Sequence, residues 1–487
     1  MEEDKLEELD VELIKTRSVK GVTSLIGRSV LVQLVSSGGY FILTVILNLE
    51  ALGIFAAVTE IVAILGYFSD IGLAAALIQK KSNPQVKDLR TTFTLQQILV
   101  ISLILIVFLF SGSISSFYNL SQPGLFLLYS LLGGFFLASL KTIPSILLER
   151  SLRFEKLAVV ELMETTIFYV VAIVLAKKGF GINSYSIAVL VRGIVGTGAL
   201  YILCPWPIGL AISKKSLSEL LKFGIPYQLN TFLAVIKDRL TNLILLKIIG
   251  AQGFAILNWS QTWAQKPLRF IMDNVTKVTF PMLARMQDDP KHLKTAIEKS
   301  LFYTCATIFP VLVAFSVFIK PTISLYQGYN AKWTAGIFPM YLYLFSAGWA
   351  AVSTPLTNAL NAIGKIKFTF YLMIMWTVIT LIISPLLAFK FGYIGVAYAS
   401  AIIALTSIVP VIVTRMFVPF DLINSVTKPA ITSLGMGIAV LIITRSLPGL
   451  LGIVCGLIAG ITVYLSLTLF VCGSSVFKEA ISFVKKK

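Results

Sequence analysis

Residues 92–111 read TFTLQQILVISLILIVFLFS. No charged side chain interrupts this run. As an α-helix rising 1.5 Å per residue it reaches about 30 Å, the thickness of a bilayer's hydrocarbon. The rest of the chain repeats the pattern. Apolar windows lie near residues 23–49, 51–78, 124–143, 159–176 and 185–206, then near 225–249, 254–284, 297–319, 335–362, 368–389 and 394–415, and finally near 428–446 and 450–472. The expectation is an all-α integral membrane protein of about fourteen transmembrane helices with short connections. The window at 254–284 is the most polar of them.

Composition agrees. Of 487 residues, 57% are hydrophobic and only 13% charged, with mean hydropathy +0.88. A soluble domain carries about twice that charged fraction, so the bilayer must be part of the solvent. No stretch is long and polar enough for a separate soluble domain. The net charge of +18 would point to nucleic acid on a soluble protein. Here the positive-inside rule accounts for it, and no nucleic-acid partner is expected. Lys80, Lys81, Lys87, Arg90, Arg150, Arg153, Lys156, Lys214, Lys215, Lys291, Lys294 and Lys485 to Lys487 gather on one side of the spans. Fewer basic residues, among them Lys177, Lys178, Lys320, Lys390 and Arg445, fall on the other. Both termini are therefore expected in the cytoplasm, with the chain in the cytoplasmic (inner) membrane. The acidic start, Met1-Glu2-Glu3-Asp4, does not fit a signal peptide, so the first span is expected to be retained.

Metal and thiol chemistry find little footing. Cys204, Cys305, Cys455 and Cys472 fall in or beside apolar segments without metal-ligand spacing, and read as small core residues. The single histidine, His292, sits in a charged loop. No cofactor is expected, apart from H⁺ or Na⁺ as coupling ions.

The first twelve spans repeat. Ala51-Leu52-Gly53-Ile54-Phe55 resembles Ala251-Gln252-Gly253-Phe254, each opening an even-numbered span. Pro144 matches Pro355, and at the same offset Phe180-Gly181 matches Phe391-Gly392 and Ala188 matches Ala399. Each repeat holds six spans, so the two have parallel topology and form pseudo-symmetric six-helix bundles. The expected division is a cytoplasmic segment at 1–22, a first lobe at 23–206, a second at 207–415, two further helices within 416–472 and a basic tail at 473–487. Two such bundles usually enclose a cavity that opens to alternate sides.

Seven basic residues are read as intramembrane: Arg28, Arg192, Lys237, Arg239, Lys266, Arg269 and Lys277. A charge at mid-bilayer costs about 2.5–3.5 kcal/mol on insertion scales, so most must face a wet cavity, a partner or the interface. Lys266, Arg269, Asp273 and Lys277 step by three and four residues and share a helix face, with Trp259, Trp263 and Gln265 close by. Lys237-Asp238-Arg239 interrupts an apolar run; adjacent residues point about 100° apart, so part of the triplet can pair with a neighbouring helix. One reading is a cationic cavity that holds phosphate or sugar-acid oxygens. The other is a set of interhelical ion pairs with Glu60, Asp70, Asp238 and Asp273, although four acids cannot neutralise seven bases. Glu60, Asp70 and Asp273 are the acidic candidates for ion coupling. Asp70 is read equally well as a hydrogen-bonding group at a helix bend. Glu161 and Glu164 are expected to pair with Arg150, Arg153 or Lys156. Prolines inside spans, Pro144 and Pro355 among them, suit bending during alternating access.

Two stretches resemble a known family. Gly53-Ile54-Phe55-Ala56 through Phe68-Ser69-Asp70-Ile71-Gly72-Leu73-Ala74-Ala75-Ala76-Leu77-Ile78-Gln79 is similar to the second helix of polysaccharide exporters. Leu148-Glu149-Arg150-Ser151-Leu152-Arg153-Phe154-Glu155-Lys156-Leu157-Ala158 resembles their loop between helices four and five. These are Wzx-type flippases of the multidrug/oligosaccharidyl-lipid/polysaccharide exporter superfamily, near the colanic-acid and O-antigen exporters. The resemblance implies a V-shaped two-lobed transporter moving undecaprenyl-diphosphate-linked oligosaccharide between leaflets. It also implies a lumen whose cations hold the diphosphate or anionic sugars; Arg28 and the basic stripe of the eighth span match that pattern by position. The expected partners are the lipid-linked anionic oligosaccharide, membrane lipids and the polysaccharide polymerase machinery.

Two other functions compete with this reading. A drug or cation antiporter of the same superfamily needs an acid-dominated cavity, the reverse of the balance here. A membrane glycosyltransferase or ligase needs a loop with convergent acids, histidines or a metal site, and the loops are short and basic or nearly free of acid. The chain is expected not to be an enzyme.

Overall fold

The computed structural model describes residues 11–473 apart from Lys81, Asp288 and Tyr326; the side chains of residues 11–28, of ten residues within 223–236, and of Asp273, Asn274, Lys277 and Val278 lie outside the description. Among the described residues every element is a helix. In chain order they are α1 (Val11–Ile46), α2 (Leu49–Asp70), α3 (Leu73–Gln79), α4 (Val86–Leu109), α5 (Ser111–Tyr118), α6 (Gln122–Leu140), α7 (Thr142–Arg150) and α8 (Phe154–Lys177). There follow α9 (Asn183–Leu203), α10 (Lys214–Arg285), α11 (Pro290–Ser324), α12 (Gln327–Ala362), α13 (Ile366–Leu405), α14 (Ile408–Phe417), α15 (Leu422–Ser446) and α16 (Gly449–Cys472).

Twelve of the described helical segments are long and apolar enough to cross a bilayer. Four run well beyond one crossing, Pro290–Ser324 with 35 residues, Lys237–Met272 and Gln327–Ala362 with 36 each and Ile366–Phe417 with 52, and two of these, Lys237–Met272 and Ile366–Phe417, are broken within. Each of the two contains a glycine that leaves helical geometry, Gly250 at φ 70° and Gly392 at φ 62°. Counting each as two crossings recovers about fourteen. The repeat is visible locally too. Gly181, at φ 55°, breaks the chain at the position matching Gly392, and the matched Ala188 and Ala399 are both fully buried.

The described residues fall into two compact units, one through Ala255 and one from Ile256. The first half of α10 thus packs with the first unit. Leu246 and Phe254 share a core with Ala57 of α2, and the backbones of Gly72 and Gly224 approach so closely that a Cβ at either would overlap the other chain.

Within the first unit, α8 packs on α1 and α9, and α6 on α9. The run expected at 51–78 is in fact two helices, because Ile71 and Gly72 both take left-handed φ values, 47° and 75°. Asp70 Oδ1 accepts the backbone N–H of Ala74 at 3.0 Å and so caps the start of α3. The junction of α6 and α7 is also compensated. Pro144 has no N–H to offer Leu140 O, and the Tyr201 hydroxyl donates to that oxygen instead at 3.0 Å. Lys141 N–H turns to Ala138 O, which frees Leu137 O for the Thr197 hydroxyl at 3.0 Å. Side chains of α4 reach the same junction: Gln96 donates to the Thr142 hydroxyl and Gln97 to Ser139.

The connector after α9 is strapped across α4. Thr94 Oγ1 accepts from Ala211 N–H at 3.0 Å and Thr91 Oγ1 from Ser213 N–H at 3.1 Å. Arg90 Nε donates to Pro207 O at 3.1 Å, and buried Trp206 packs edge-on against Phe93.

In the second unit, α11 packs on α12 and α15, and α15 on α16. The buried face of α16 is Gly452, Gly456, Gly460 and Thr468. A Cβ at Gly460 would lie 2.9 Å from Val440 and one at Gly456 3.0 Å from Phe318. Small residues four apart let two membrane helices approach closely, where dispersion rather than water exclusion holds them. The rest of α16 is apolar and exposed, Phe470 and Ile458 included, as a lipid-facing surface requires.

Candidate functional site

Charged side chains inside the spans are the groups that need explanation, and the structure gives most of them partners. Glu60 of α2 is buried. Its Oε2 accepts from Arg239 Nη1 at 2.7 Å and its Oε1 from Asn242 Nδ2 at 3.2 Å. A carboxylate removed from water keeps its charge only with such donors. Lys237 lies 3.3 Å from the carboxylate of the neighbouring Asp238, which is exposed. The triplet at 237–239 therefore divides as its 100° stepping requires. Arg192 of α9 lies 3.6 Å from Glu164 of α8, and Lys141, between α6 and α7, lies 2.5 Å from the same carboxylate. Glu164 was expected to pair with Arg150, Arg153 or Lys156 and does not.

Arg150 has another task. Its Nη1 donates to Leu77 O, Ile78 O and Lys80 O at 2.7–2.9 Å, and its Nη2 to Ser82 O at 3.2 Å. The planar fork thus satisfies the carbonyls at the C-terminus of α3, where positive charge also suits the helix dipole. Lys80 pairs with Asp88 at 2.9 Å and Glu219 at 3.4 Å. The hydrogen bond to Asp88 is the main reason its pKa is raised. Asp88 also accepts from Ser216 at 2.6 Å and from the N–H of Gln85.

In the second unit two basic side chains of α10 each have a neutral neighbour. The Lys266 ammonium, half-buried, lies 4.6 Å from the centroid of the Trp263 ring. Arg269 Nη2 donates to Gln265 Oε1 at 3.0 Å, one turn back on an exposed face. Trp259, expected beside them, is instead a core residue: it stacks on Trp333 at 4.6 Å and donates to Tyr329. The side chains of Arg28, Asp273 and Lys277 lie outside the described residues.

Sequence reasoning missed Lys141. It falls within the fourth span, and that position was the available signal. His292 is exposed and bonds Asp289 at 2.6 Å. Among the described residues no group of three His, Cys, Asp or Glu could hold a metal.

An all-helical chain with a dozen bilayer-length segments and charges held inside them is a multi-pass integral membrane protein. It belongs to the polysaccharide biosynthesis protein family, whose model matches residues 42–337. The chain is similar to the lipopolysaccharide biosynthesis protein WzxC of Escherichia coli (strain K12), 25% identical over 344 residues, 68% of this chain and 66% of that protein. Among solved structures, the lipid II flippase MurJ in an inward closed conformation matches with TM-score 0.74 at 17% identity, covering 94% of this chain and 100% of that one. An inward-facing multidrug resistance MATE family transporter of the MOP superfamily matches with TM-score 0.59 at 16% identity, covering 81% and 98%. At these identities the two structures establish a shared fold.

Proposed function

We propose that this chain is a flippase, a transporter and not an enzyme, which moves a polyprenyl-diphosphate-linked oligosaccharide across the cytoplasmic membrane by alternating access. Membership of the polysaccharide biosynthesis family supports the reading, as do relatives named for lipopolysaccharide biosynthesis and as a lipid II flippase. The single observation that carries it is Arg269 of α10, whose guanidinium donates to the neutral Gln265 Oε1 at 3.0 Å inside a membrane-crossing segment. Positive charge is worth its cost there if an anionic head group passes. The anion-binding set is Arg28, Arg192, Lys237, Arg239, Lys266, Arg269 and Lys277, on lobes at 23–206 and 207–415 with a helical pair at 416–472. Both termini lie in the cytoplasm, and the chain works beside the polymerase that consumes its cargo.

Ion coupling involves Glu60, Asp70 and Asp273. For Glu60 it requires release of Arg239 and Asn242, and for Asp70 release of the Ala74 N–H. Dependence of export on Na⁺ or on a pH gradient in inverted vesicles is the measurement that decides it.

The test is the Lys266→Ala/Arg269→Ala double variant in a strain whose surface polysaccharide depends on this chain. Polysaccharide should fall to background with protein level unchanged. Unaltered polysaccharide removes the assignment. The MATE fold raises a cation antiporter as the second reading. The basic α10 stretch opposes it, and efflux of a cationic dye by the purified protein in vesicles would overturn the flippase.

A further inference from the structure

Arg192 combines two properties that normally exclude each other. It lies on the inward face of α9, flanked one turn away by Ala188 and Gly196 and two turns away by Tyr185, all buried. Yet its own side chain is 46% exposed. Residues that α9 turns outward, such as Ile194 and Ile202, lie on other faces. The exposure is therefore local to the Arg192 side chain.

The surroundings of Arg192 are specific. Glu164, only 6% exposed, holds one oxygen 2.5 Å from Lys141 and the other 3.6 Å from Arg192. The Phe168 ring lies 6.0 Å from the guanidinium carbon. The Glu164 carboxylate fills the space where a side chain on Gly196 would stand, with Oε1 at 1.5 Å from an ideal Cβ. Two cations share one carboxylate, so the three groups keep one net positive charge. Lys141 makes the short contact and is mostly enclosed, while the guanidinium is the exposed member. The surplus is thus carried by the exposed Arg192.

We propose that the exposed guanidinium of Arg192 contacts the cargo's oxyanion, a phosphate or a sugar carboxylate, with Glu164 and Lys141 as its positioning residues. Lys141 occupies most of the Glu164 charge; Glu164 fixes the guanidinium from behind and leaves its remaining donors free for a bidentate contact. Arg239 differs, because its strong contact is made to the carboxylate of Glu60 at 2.7 Å. The inference rests on the anionic cargo proposed above, and adds where in the first unit it is touched and by what supporting pair.

The experiment titrates full-length protein in nanodiscs with inorganic pyrophosphate and, separately, with glucuronate, at fixed ionic strength. Wild type should bind at least one, and the tighter probe identifies phosphate or carboxylate as the source. Arg192→Gln should weaken binding about tenfold or more, the size of a charge-assisted hydrogen bond. Glu164→Gln separates positioning from simple charge, since it adds positive charge yet should weaken binding. Tighter binding in that variant overturns the positioning role. Should it not fold, Glu164→Gln with Lys141→Gln keeps the net charge: weaker binding supports positioning and unchanged binding overturns it. Wild-type affinity in Arg192→Gln, or no binding by wild type, overturns the contact itself. Should Arg192→Gln not fold, Arg192→Lys carries the test, with several-fold loss expected and unchanged affinity overturning it. Transport of lipid-linked oligosaccharide is followed in parallel vesicles. Wild type that binds but does not transport sinks the flippase reading alone, and transport that survives Arg192→Gln with unchanged binding sinks this inference alone.

Discussion

Replacing Glu60 by glutamine should destabilise the first unit by about 2 kcal/mol. Glu60 is buried and both its oxygens are engaged, by Arg239 at 2.7 Å and Asn242 at 3.2 Å. Glutamine keeps the shape but offers one acceptor, and its amide nitrogen then faces a second donor unless Asn242 turns over. Removing one member of a fully buried ion pair costs about 3–5 kcal/mol. Here the Arg239 side chain is 40% exposed, and water screens what it loses, so the lower figure follows. A double-mutant cycle with Arg239→Gln isolates the pair and should give a coupling of about 1–2 kcal/mol. Purified full-length protein is unfolded by raising the SDS fraction in dodecylmaltoside micelles, with helicity read by circular dichroism. Coupling below about 0.3 kcal/mol, the level at which independent sites add, would refute the pairing and the structural account of the 237–239 triplet.

Three further outcomes are expected. Arg150→Met removes four carbonyl contacts at the end of α3; allowing for rehydration of those carbonyls, it should cost about 2–3 kcal/mol. Limited proteolysis should then open the 79–85 loop, and an unchanged digestion pattern would contradict the contacts. Gly460→Leu forces a branched side chain into a contact already 2.9 Å from Val440; overpacking of about 1–3 kcal/mol or more should lower the melting temperature, while the same change at exposed Gly198 should not. Asp289 caps α11 by accepting from the N–H groups of His292 and Lys291, and the His292 bond chiefly lowers its pKa below 3.8. Because the folded value is the lower one, the cap's contribution is present above pH 3.8 and lost as pH falls through the folded pKa. Amide exchange in the first turn of α11 should quicken in that window, and Asp289→Asn should abolish the pH dependence.

The spans were legible in the sequence because hydrocarbon imposes one simple requirement, length without charge, that each segment meets alone. The repeat was legible at matched positions, since Gly181 and Gly392 both take a positive φ. The breaks themselves were harder. Ile71 carries no sign of its left-handed conformation, and Gly250 and Gly392 end one crossing without ending the helical run. The least accessible features were the partners of the charges. Periodicity within α8 places Glu164 on a face, but Lys141 comes from the α6–α7 junction and Arg192 from α9, and a single span's pattern holds no information about which neighbours it meets. Arg150 was misread for a related reason: its contacts are to backbone carbonyls, which every sequence has in equal number. The glycine comb of α16 was present at four-residue spacing, yet only packing shows which face it serves.

The strap at 206–213 changes how this protein can be handled. A connector between duplicated modules is the usual place to insert a reporter, cut with a protease or split a gene for coexpression. Here that stretch is sewn to α4 through two threonine hydroxyls, an arginine and a buried indole. Engineering it should behave like damage to an interior, and fusions meant to leave the molecule intact belong elsewhere.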